Sequence, residues 1–187
     1  MEVTLGVSNK HVHLNDEDYH LLFGNEKIEV VKKLVQKNQY ASNLFVDIKA
    51  QKNILKHIRV LGAIRNYTQV ELSKTDSFFL GINPPIRDSG DLEGAEEVTI
   101  IGPCGSITKK VAIIATRHIH LNSKDVLEKN LTGKKEVDVT FNSEKSVTFH
   151  NVKLKIQEEG IWEMHIDTDD ANGSFLKTGD IGTIITK

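Results

Sequence analysis

A short histidine-rich pattern occurs twice in this chain, at residues 8–15 (SNKHVHLN) and 115–122 (ATRHIHLN). Each copy has a basic residue, two histidines separated by a β-branched residue, then leucine and asparagine. Successive side chains of a β-strand point to opposite faces, so histidines two residues apart lie on the same face. Val12 and Ile119, between the histidines, favour strands. The pattern therefore predicts two strands that each present a pair of imidazoles.

Paired imidazoles on one strand face indicate metal binding. Zinc is bound by histidine nitrogens and carboxylate oxygens, and a catalytic zinc keeps one coordination position open. Outside the two pairs, the best further histidine ligand is His165 and the best carboxylate is Glu71. The predicted ligands are, in chain order, His11, His13, Glu71, His118, His120 and His165.

Composition limits the class of protein. The 187 residues suffice for one large or two small domains, and 39% hydrophobic with 27% charged residues is typical of a globular protein. A formal net charge of −2 gives no basic excess, so we expect no nucleic-acid and no membrane partner. Cys104 has no second cysteine to pair with. With no signal-peptide-like or membrane-length apolar run, we expect a cytoplasmic protein.

Strand-like segments dominate the chain. Asn15 or Asp16 and then Asn122 resemble N-caps of short helices that follow the histidine pairs, whereas the stretch 70–90 is predicted to be partly a loop. Many short strands with few helices predict a mainly β fold of two small barrels or sandwiches, with the chemistry in the cleft between them. The predicted strands are 3–7, 44–48, 54–61, 98–101, 110–115, 137–141, 146–156, 164–167 and 181–185. Residues 27–35 could be strand or helix, and their β-branched residues favour strand.

Arg65 is a candidate anion-binding residue, because it lies six residues before the candidate ligand Glu71. An arginine beside a metal cluster is well suited to hold phosphate or carboxylate through two parallel hydrogen bonds. The alternative is a surface arginine in a weak ion pair. His20, His57 and His150 have no comparable context and are interpreted as surface residues.

Four segments together resemble the signature blocks of the PduL-type phosphate acyltransferases (phosphotransacylases, phosphate propanoyltransferases). They are 7–14 (VSNKHVHL), 61–71 (LGAIRNYTQVE), 117–121 (RHIHL) and 163–172 (EMHIDTDDAN), and they occur in the order of the family. Lys10, Ala63 and Asp170 replace the usual Arg, Pro and Glu of these blocks. None of the three departures removes a candidate ligand.

The resemblance implies a mainly β fold of two small β-barrel domains with short capping helices. The first strand would join the barrel of the C-terminal half. One discontinuous domain would then comprise residues 1–9 and 116–187, and the other residues 10–115. The active site would lie in the cleft between the two barrels.

The resemblance also implies two zinc ions per chain. His11, His13 and Glu71 would hold one zinc, whose remaining position meets the sulfur of coenzyme A. The second zinc would be held by His118, His120 and His165, with waters completing its coordination. Arg65 would bind phosphate. The residues that would line the coenzyme A and substrate cleft are Ser8, Arg59, Leu61 and Asn172.

The activity implied by the resemblance is the reversible conversion of acyl-CoA and phosphate to acyl phosphate and coenzyme A. Acetyl and propanoyl are the usual acyl groups, and the usual assembly is a homodimer or a larger homo-oligomer. We expect direct transfer, because Cys104 lies outside every signature block. Because the first strand begins almost at Met1, we expect a cytoplasmic enzyme rather than one targeted to a microcompartment.

A cupin is the alternative interpretation. His11, His13, Glu17 and Gly24 have the spacing of the first cupin motif, which would give a single-metal isomerase or oxygenase. However, Glu17 falls in a helix-like segment, where it would not share the strand face of the histidines. The second histidine pair would also be unexplained.

Overall fold

The computed structural model describes residues 1–36, 38–158 and 160–185. The strands are β1 Glu2–Ser8, β2 His11–His13, β3 Val30–Lys33, β4 Tyr40–Lys49, β5 Ile54–Gly62, β6 Gln69–Glu71, β7 Ile86–Arg87, β8 Glu96–Ile101, β9 Ser106–Ala115, β10 His118–Leu121, β11 Glu136–Phe141, β12 Val147–Ile156, β13 Glu163–Asp167 and β14 Ile181–Ile185. The helices are α1 Asp16–Phe23, α2 Lys74–Leu80, α3 Ser123–Glu128 and α4 Thr168–Gly173.

The chain divides into two compact units. One is continuous and comprises Lys10–Ala115; the other is split and comprises Met1–Asn9 with Thr116–Lys187. We call them the continuous unit and the split unit. Each unit has its own hydrophobic core of strand residues.

The split unit is a closed six-stranded barrel with the strand order β1-β13-β10-β12-β11-β14. Strand β1 lies parallel to β13 and antiparallel to β14, which closes the ring. Leu5 of β1 is fully buried in the core of this barrel, together with Ile119 and Met164. The prediction that the first strand joins the barrel of the C-terminal half is confirmed.

The continuous unit is also built on a closed ring of six strands, β5-β2-β6-β9-β8-β4. The ring closes because β8 is antiparallel to both β9 and β4. Strand β3 is attached to β4, and the two-residue strand β7 is attached to β9. The mainly β fold with two small barrels and short helices is therefore confirmed.

The two rings have the same pattern of strand pairing. In the continuous unit, β2 is parallel to β5 and antiparallel to β6, and β6 is parallel to β9. In the split unit, β10 is parallel to β12 and antiparallel to β13, and β13 is parallel to β1. Strand β1 thus has the place in one ring that β9 has in the other. Each of these two strands runs directly into the histidine-pair strand of the other unit.

Both copies of the repeated pattern form the same local structure, a short strand followed by a helix. The residues between and after the histidines are fully buried core residues; they are Val12, Leu14, Ile119 and Leu121. The asparagines are N-caps: the side chain of Asn15 accepts a hydrogen bond from the first turn of α1, and that of Asn122 does the same for α3. The pattern therefore directs a strand into the core and begins a helix immediately after it.

Part of the secondary structure differs from the sequence-based expectation. The stretch 70–90, predicted to be partly a loop, contains helix α2, which Ser73 and Asp76 begin with a reciprocal capping box. Helix α4, capped by Asp167, was also not predicted. None of the described helices is long and apolar enough to cross a membrane.

Candidate functional site

The first group of candidate ligands lies on strands β2 and β6 of the continuous unit. These strands are antiparallel, with His11 opposite Glu71 and His13 opposite Gln69. The alternate residue of β2, Val12, is packed in the core. His11, His13 and Glu71 therefore share the face of the barrel wall that points away from the core. We call these three residues the first ligand set.

The first ligand set converges on one point. One ligand atom from each residue lies within 4.8 Å of the others. The Nε2 atoms of His11 and His13 are 3.2 Å apart, and His11 Nε2 is 3.4 Å from a carboxylate oxygen of Glu71. The other carboxylate oxygen of Glu71 accepts a hydrogen bond of 2.6 Å from the side-chain amide of Gln69. The arrangement supplies two nitrogens and one oxygen, which suits zinc.

The protonation states in the first ligand set also suit a metal ion. Burial, aided by the neighbouring His11, lowers the pKa of His13 well below its ordinary value. Burial alone would raise the pKa of the Glu71 carboxyl, but His11, His13 and Arg65 together hold it below its ordinary value. Metal ligands must be neutral imidazoles and ionised carboxylates, and these shifts favour both forms.

The second ligand set lies on strands β10 and β13 of the split unit. These strands are antiparallel, with His118 opposite His165 and His120 opposite Glu163. One nitrogen from each of His118, His120 and His165 lies within 4.8 Å of the others. The Nε2 atoms of His118 and His120 are 2.9 Å apart.

Hydrogen bonds at the far side of each ring indicate which nitrogen carries the proton. His118 Nδ1 is 2.7 Å from the carbonyl oxygen of Thr116, which can only accept, so Nδ1 is the donor. His120 Nδ1 is 3.1 Å from the amide oxygen of Gln157. Burial, followed by the neighbouring His118, lowers the pKa of His120 to about 3.

The Nε2 atoms of His118 and His120 therefore face each other, 2.9 Å apart. Two imidazole nitrogens at this distance share a cation, which is either a proton or a metal ion. The donor set of His118, His120 and His165 thus fits a metal ion on the chemistry of its own atoms, and so does the first ligand set.

Arg65 lies in the continuous unit, where its backbone N–H donates to the carbonyl of Leu14 directly after the histidine pair. Its guanidinium donates to Tyr67 Oη at 2.6 Å, Ser89 Oγ at 3.1 Å and Gln39 Oε1 at 3.3 Å. All of these acceptors are neutral oxygens. The contacts fix the orientation of the guanidinium and leave its charge available to an anion.

Gln69 connects the arginine group to the first ligand set. Its amide nitrogen donates to Glu71 and also to Ser89 Oγ at 2.9 Å. Its amide oxygen accepts a hydrogen bond of 2.7 Å from the backbone N–H of Gly90. The candidate anion site and the candidate metal site of this unit therefore share one hydrogen-bond network.

The remaining candidate residues are divided between the units. Arg59 and Leu61 lie on β5 beside β2, on the same outward face as the histidines, and the Arg59 guanidinium lies 4.3 Å from the ring centroid of Phe45. Ser8 ends β1 of the split unit, and Asn172 lies exposed in α4. Arg59 and Leu61 thus lie on the same strand face as the first ligand set. Ser8 and Asn172 lie in the split unit, which carries the second ligand set.

The residues of the alternative interpretation do not join a donor set. Glu17 is exposed on α1 and is absent from both groups of converging ligands among the described residues. Cys104 is exposed in the turn between β8 and β9. His20, His57 and His150 are exposed, as predicted, although His150 also contacts Asp138.

Sequence reasoning missed several polar residues around the donor sets. They are Gln39, Tyr67, Gln69, Ser89 and Glu163. Two of them carried a signal, because Gln69 and Glu163 each stand two residues before a candidate ligand and therefore share its strand face. The others are brought to Arg65 by loops, which no local pattern predicts.

Comparisons with known proteins show the family to which the chain belongs. The family model of phosphate propanoyltransferase matches residues 4–177. The chain belongs to the phosphate propanoyltransferase family. The phosphate propanoyltransferase of Thermotoga maritima is 45% identical over 186 residues, covering 98% of this chain and 89% of that protein. The phosphate propanoyltransferase of Rhodopseudomonas palustris is 41% identical over 188 residues, covering 100% of this chain and 83% of that protein.

Membership of the phosphate propanoyltransferase family identifies the protein as an acyltransferase of the phosphotransacylase class. The match runs through both ligand sets and through Arg65. The cupin alternative is therefore wrong, in agreement with the position of Glu17 on a helix.

Proposed function

We propose that this protein is a zinc-dependent phosphate acyltransferase that reversibly converts acetyl-CoA or propanoyl-CoA and phosphate to acyl phosphate and coenzyme A. The observation that carries the proposal is the presence of two converging donor sets, one of which shares a hydrogen-bond network with Arg65. Family membership supports the reaction class, and the donor sets support the metal dependence.

His11, His13 and Glu71 would hold one zinc, and His118, His120 and His165 would hold the second. Zinc bound in these sets would supply Lewis acidity toward a thioester carbonyl and affinity for a thiolate. The neutral imidazoles and the ionised carboxylate are the protonation states that such binding needs.

Arg65 would bind and orient phosphate. Its guanidinium is held by Tyr67, Ser89 and Gln39, so little side-chain entropy remains to be lost when an anion binds. A fixed guanidinium can pair two of its N–H groups with two phosphate oxygens. This pairing would hold a poor nucleophile in position and offset part of its charge.

Coenzyme A would contact Ser8, Arg59, Leu61 and Asn172. Arg59 is the cationic member of this group and suits the phosphate groups of the cofactor. Leu61 is half-buried on the same strand face and offers an apolar contact. These four assignments rest on the family resemblance and on the strand face that Arg59 and Leu61 share.

We propose direct transfer without an acyl-enzyme. A phosphate oxygen would attack the thioester carbonyl carbon, the C–O bond would form, and the C–S bond would break with its electron pair leaving on sulfur. Cys104, the one thiol of the chain, lies exposed on a turn and belongs to neither donor set. No residue of the two donor sets is an oxygen or sulfur nucleophile of the Ser or Cys type.

The test is release of free thiol from acetyl-CoA and propanoyl-CoA when phosphate is added, with sulfate as the control anion. We expect phosphate-dependent release that a chelator abolishes and zinc restores, and that is lost in Arg65→Ala. Arg87→Ala removes a half-buried arginine of the same unit that bonds to backbone carbonyls and pairs with Asp91, and it should retain activity. Absence of release with both thioesters in zinc-loaded protein would contradict the proposal.

A further inference from the structure

The matching topology of the two barrels places two residues in equivalent positions. Gln69 precedes Glu71 by two residues on β6 and lies opposite His13, the second histidine of its pair. Glu163 precedes His165 by two residues on β13 and lies opposite His120, the second histidine of the other pair. Each therefore stands beside the third ligand of its set, on the same strand face.

Both residues form a short hydrogen bond to that third ligand. Gln69 donates its amide N–H to a carboxylate oxygen of Glu71 at 2.6 Å. In the other unit, a carboxylate oxygen of Glu163 lies 2.7 Å from His165 Nε2. The two contacts pair different groups. The amide of Gln69 contacts a carboxylate ligand, and the carboxylate of Glu163 contacts an imidazole ligand.

The contact from Glu163 ties the His165 ring to a buried carboxyl group of the same strand face. A carboxylate that accepts from a ligand histidine fixes the orientation of the ring and makes the imidazole a better donor to a metal.

The backbone of strand β1 lies close to the pair. Gly6 of β1 lies beside His165 in the barrel. A Cβ atom at this position would lie 2.9 Å from His165 Nε2 and 3.2 Å from the carboxyl carbon of Glu163. Glu163 is only 9% exposed. The Glu163–His165 pair therefore occupies the space that a side chain at position 6 would need.

We propose that Glu163 is a positioning residue of the second ligand set, which holds the His165 ring in its orientation, as Gln69 holds Glu71 in the first set. The inference rests on the proposed function in one respect, namely that His118, His120 and His165 bind zinc.

The first test measures zinc affinity by competition with a chromophoric chelator. A His11→Ala, His13→Ala background leaves the second ligand set alone. In this background, Glu163→Ala should weaken zinc binding about 10- to 100-fold. Glu163→Gln should lie between the parent and Glu163→Ala, because its amide can still bond to the His165 ring. The control is Glu136→Ala, which removes an exposed glutamate at the start of β11 in the same unit.

Thermal unfolding of each variant checks that the barrel is intact. If Glu163→Ala does not fold, the comparison of Glu163→Gln with Glu136→Gln decides the question in the same way. Equal zinc affinities for the Glu163 and Glu136 variants would overturn the proposal.

A second test separates a positioning residue from a direct ligand. The visible absorption of bound Co²⁺ reports coordination number and ligand type. With a positioning role, Glu163→Gln should keep the band positions and intensity of the parent at saturating Co²⁺. A change in intensity that indicates loss of an oxygen ligand would overturn the proposal. Failure of the proposed function would show instead in the thiol-release assay of the unaltered protein, which neither metal measurement uses.

Discussion

Arg65 illustrates how single residues acquire their roles from distant partners. The three side chains that accept its hydrogen bonds come from a loop before β4, from the segment after β5 and from the segment after β7. A neutral acceptor set leaves the guanidinium charge for a substrate, whereas a carboxylate partner would compete with phosphate for it. The orientation of Arg65 should therefore determine affinity for phosphate and not for the thioester.

Removing one of these acceptors tests whether Arg65 affects the affinity for phosphate without affecting that for the thioester. Ser89→Ala should raise the KM for phosphate about fivefold, because a hydrogen bond is worth about 1 kcal/mol. The KM for acyl-CoA should not change. Ser106→Ala, an exposed serine at the start of β9, is the matched control. An equal rise in both KM values would show that Ser89 supports the fold rather than the phosphate-binding arginine.

The candidate ligands could be named from the sequence because a strand alternates its side chains and because the pattern occurs twice. The residues that support them were not. Gln69 and Glu163 matter only because β6 lies beside β2 and β13 lies beside β10. Pairing between strands so far apart in the chain depends on the whole barrel, so no local pattern shows it.

At the scale of elements, the helix that follows each histidine pair begins at an asparagine of the repeated pattern. Asn15 Oδ1 accepts from the backbone N–H of Asp18 at 2.8 Å, and Asn122 Oδ1 accepts from that of Asp125 at 3.0 Å. The strand that carries the ligands thus passes without a loop into a capped helix. The cap was predictable because, in both copies of the pattern, asparagine follows the second histidine by two residues.

Loss of either cap should destabilise the protein. Asn15→Ala and Asn122→Ala should each lower the free energy of unfolding by about 1 kcal/mol, because a backbone N–H in the first helical turn loses its acceptor. Denaturant unfolding measures this. Asn142→Ala, which removes an exposed asparagine outside the helices, should change it by less than about 0.5 kcal/mol. If Asn142→Ala lowered the free energy of unfolding as much as the two cap variants, the capping explanation would be contradicted.

Helix α2 shows where reasoning from local pattern fell short. Pro84 and Pro85 indicated that the stretch 70–90 is partly a loop, and they lie after the helix has ended at Gly81. The signal for its start was present in Ser73 and Asp76, which satisfy each other's backbone N–H groups. With aspartate in the place of the usual glutamate, this capping box was easy to overlook.

Strand β1 should affect the second ligand set through Gly6. Gly6→Ala places a methyl group within 2.9 Å of the His165 ring, so the ring or the strand must shift. We expect weaker zinc binding at the second set and unchanged binding at the first. Gly173→Ala is the control, since a Cβ there meets no atom within 4 Å. Zinc titration of both variants distinguishes them, and equal affinities at the second set would refute this role of Gly6.

At the scale of the whole molecule, the two ligand sets belong to different units and should act independently in metal binding. We expect the unaltered protein to bind two zinc ions per chain. His13→Ala and His120→Ala should each bind one, and the double variant should bind none. Elemental analysis of purified protein measures the stoichiometry. Removal of zinc by a chelator should also lower the Tm, because an ion that binds only the folded protein stabilises it. A His13→Ala variant that lost both ions would contradict independence.

Because strand β1 is separated in the chain from the rest of its barrel, we can predict how fragments of the protein fold. The continuous unit contains all six strands of its ring, whereas residues 116–187 lack β1. Without β1, strands β13 and β14 lose a neighbour, and the core loses Val3 and Leu5, which are at most 1% exposed. Open sheet edges and a missing core strand leave such a fragment unstable or prone to associate.

Moving β1 to the other end of this fragment should restore it. The backbone N–H of Ile184 donates to the carbonyl of Met1 at 2.7 Å, so a short Gly-Ser linker after residue 187 can lead directly into residues 1–9. We expect residues 10–115 alone, and residues 116–187 followed by this linker and residues 1–9, to unfold cooperatively and to bind one zinc each. Residues 116–187 alone, and the permuted fragment with Leu5→Asp, should do neither, as circular dichroism and zinc titration can measure. Cooperative unfolding and zinc binding by residues 116–187 alone would show that the first strand is dispensable to the barrel it joins.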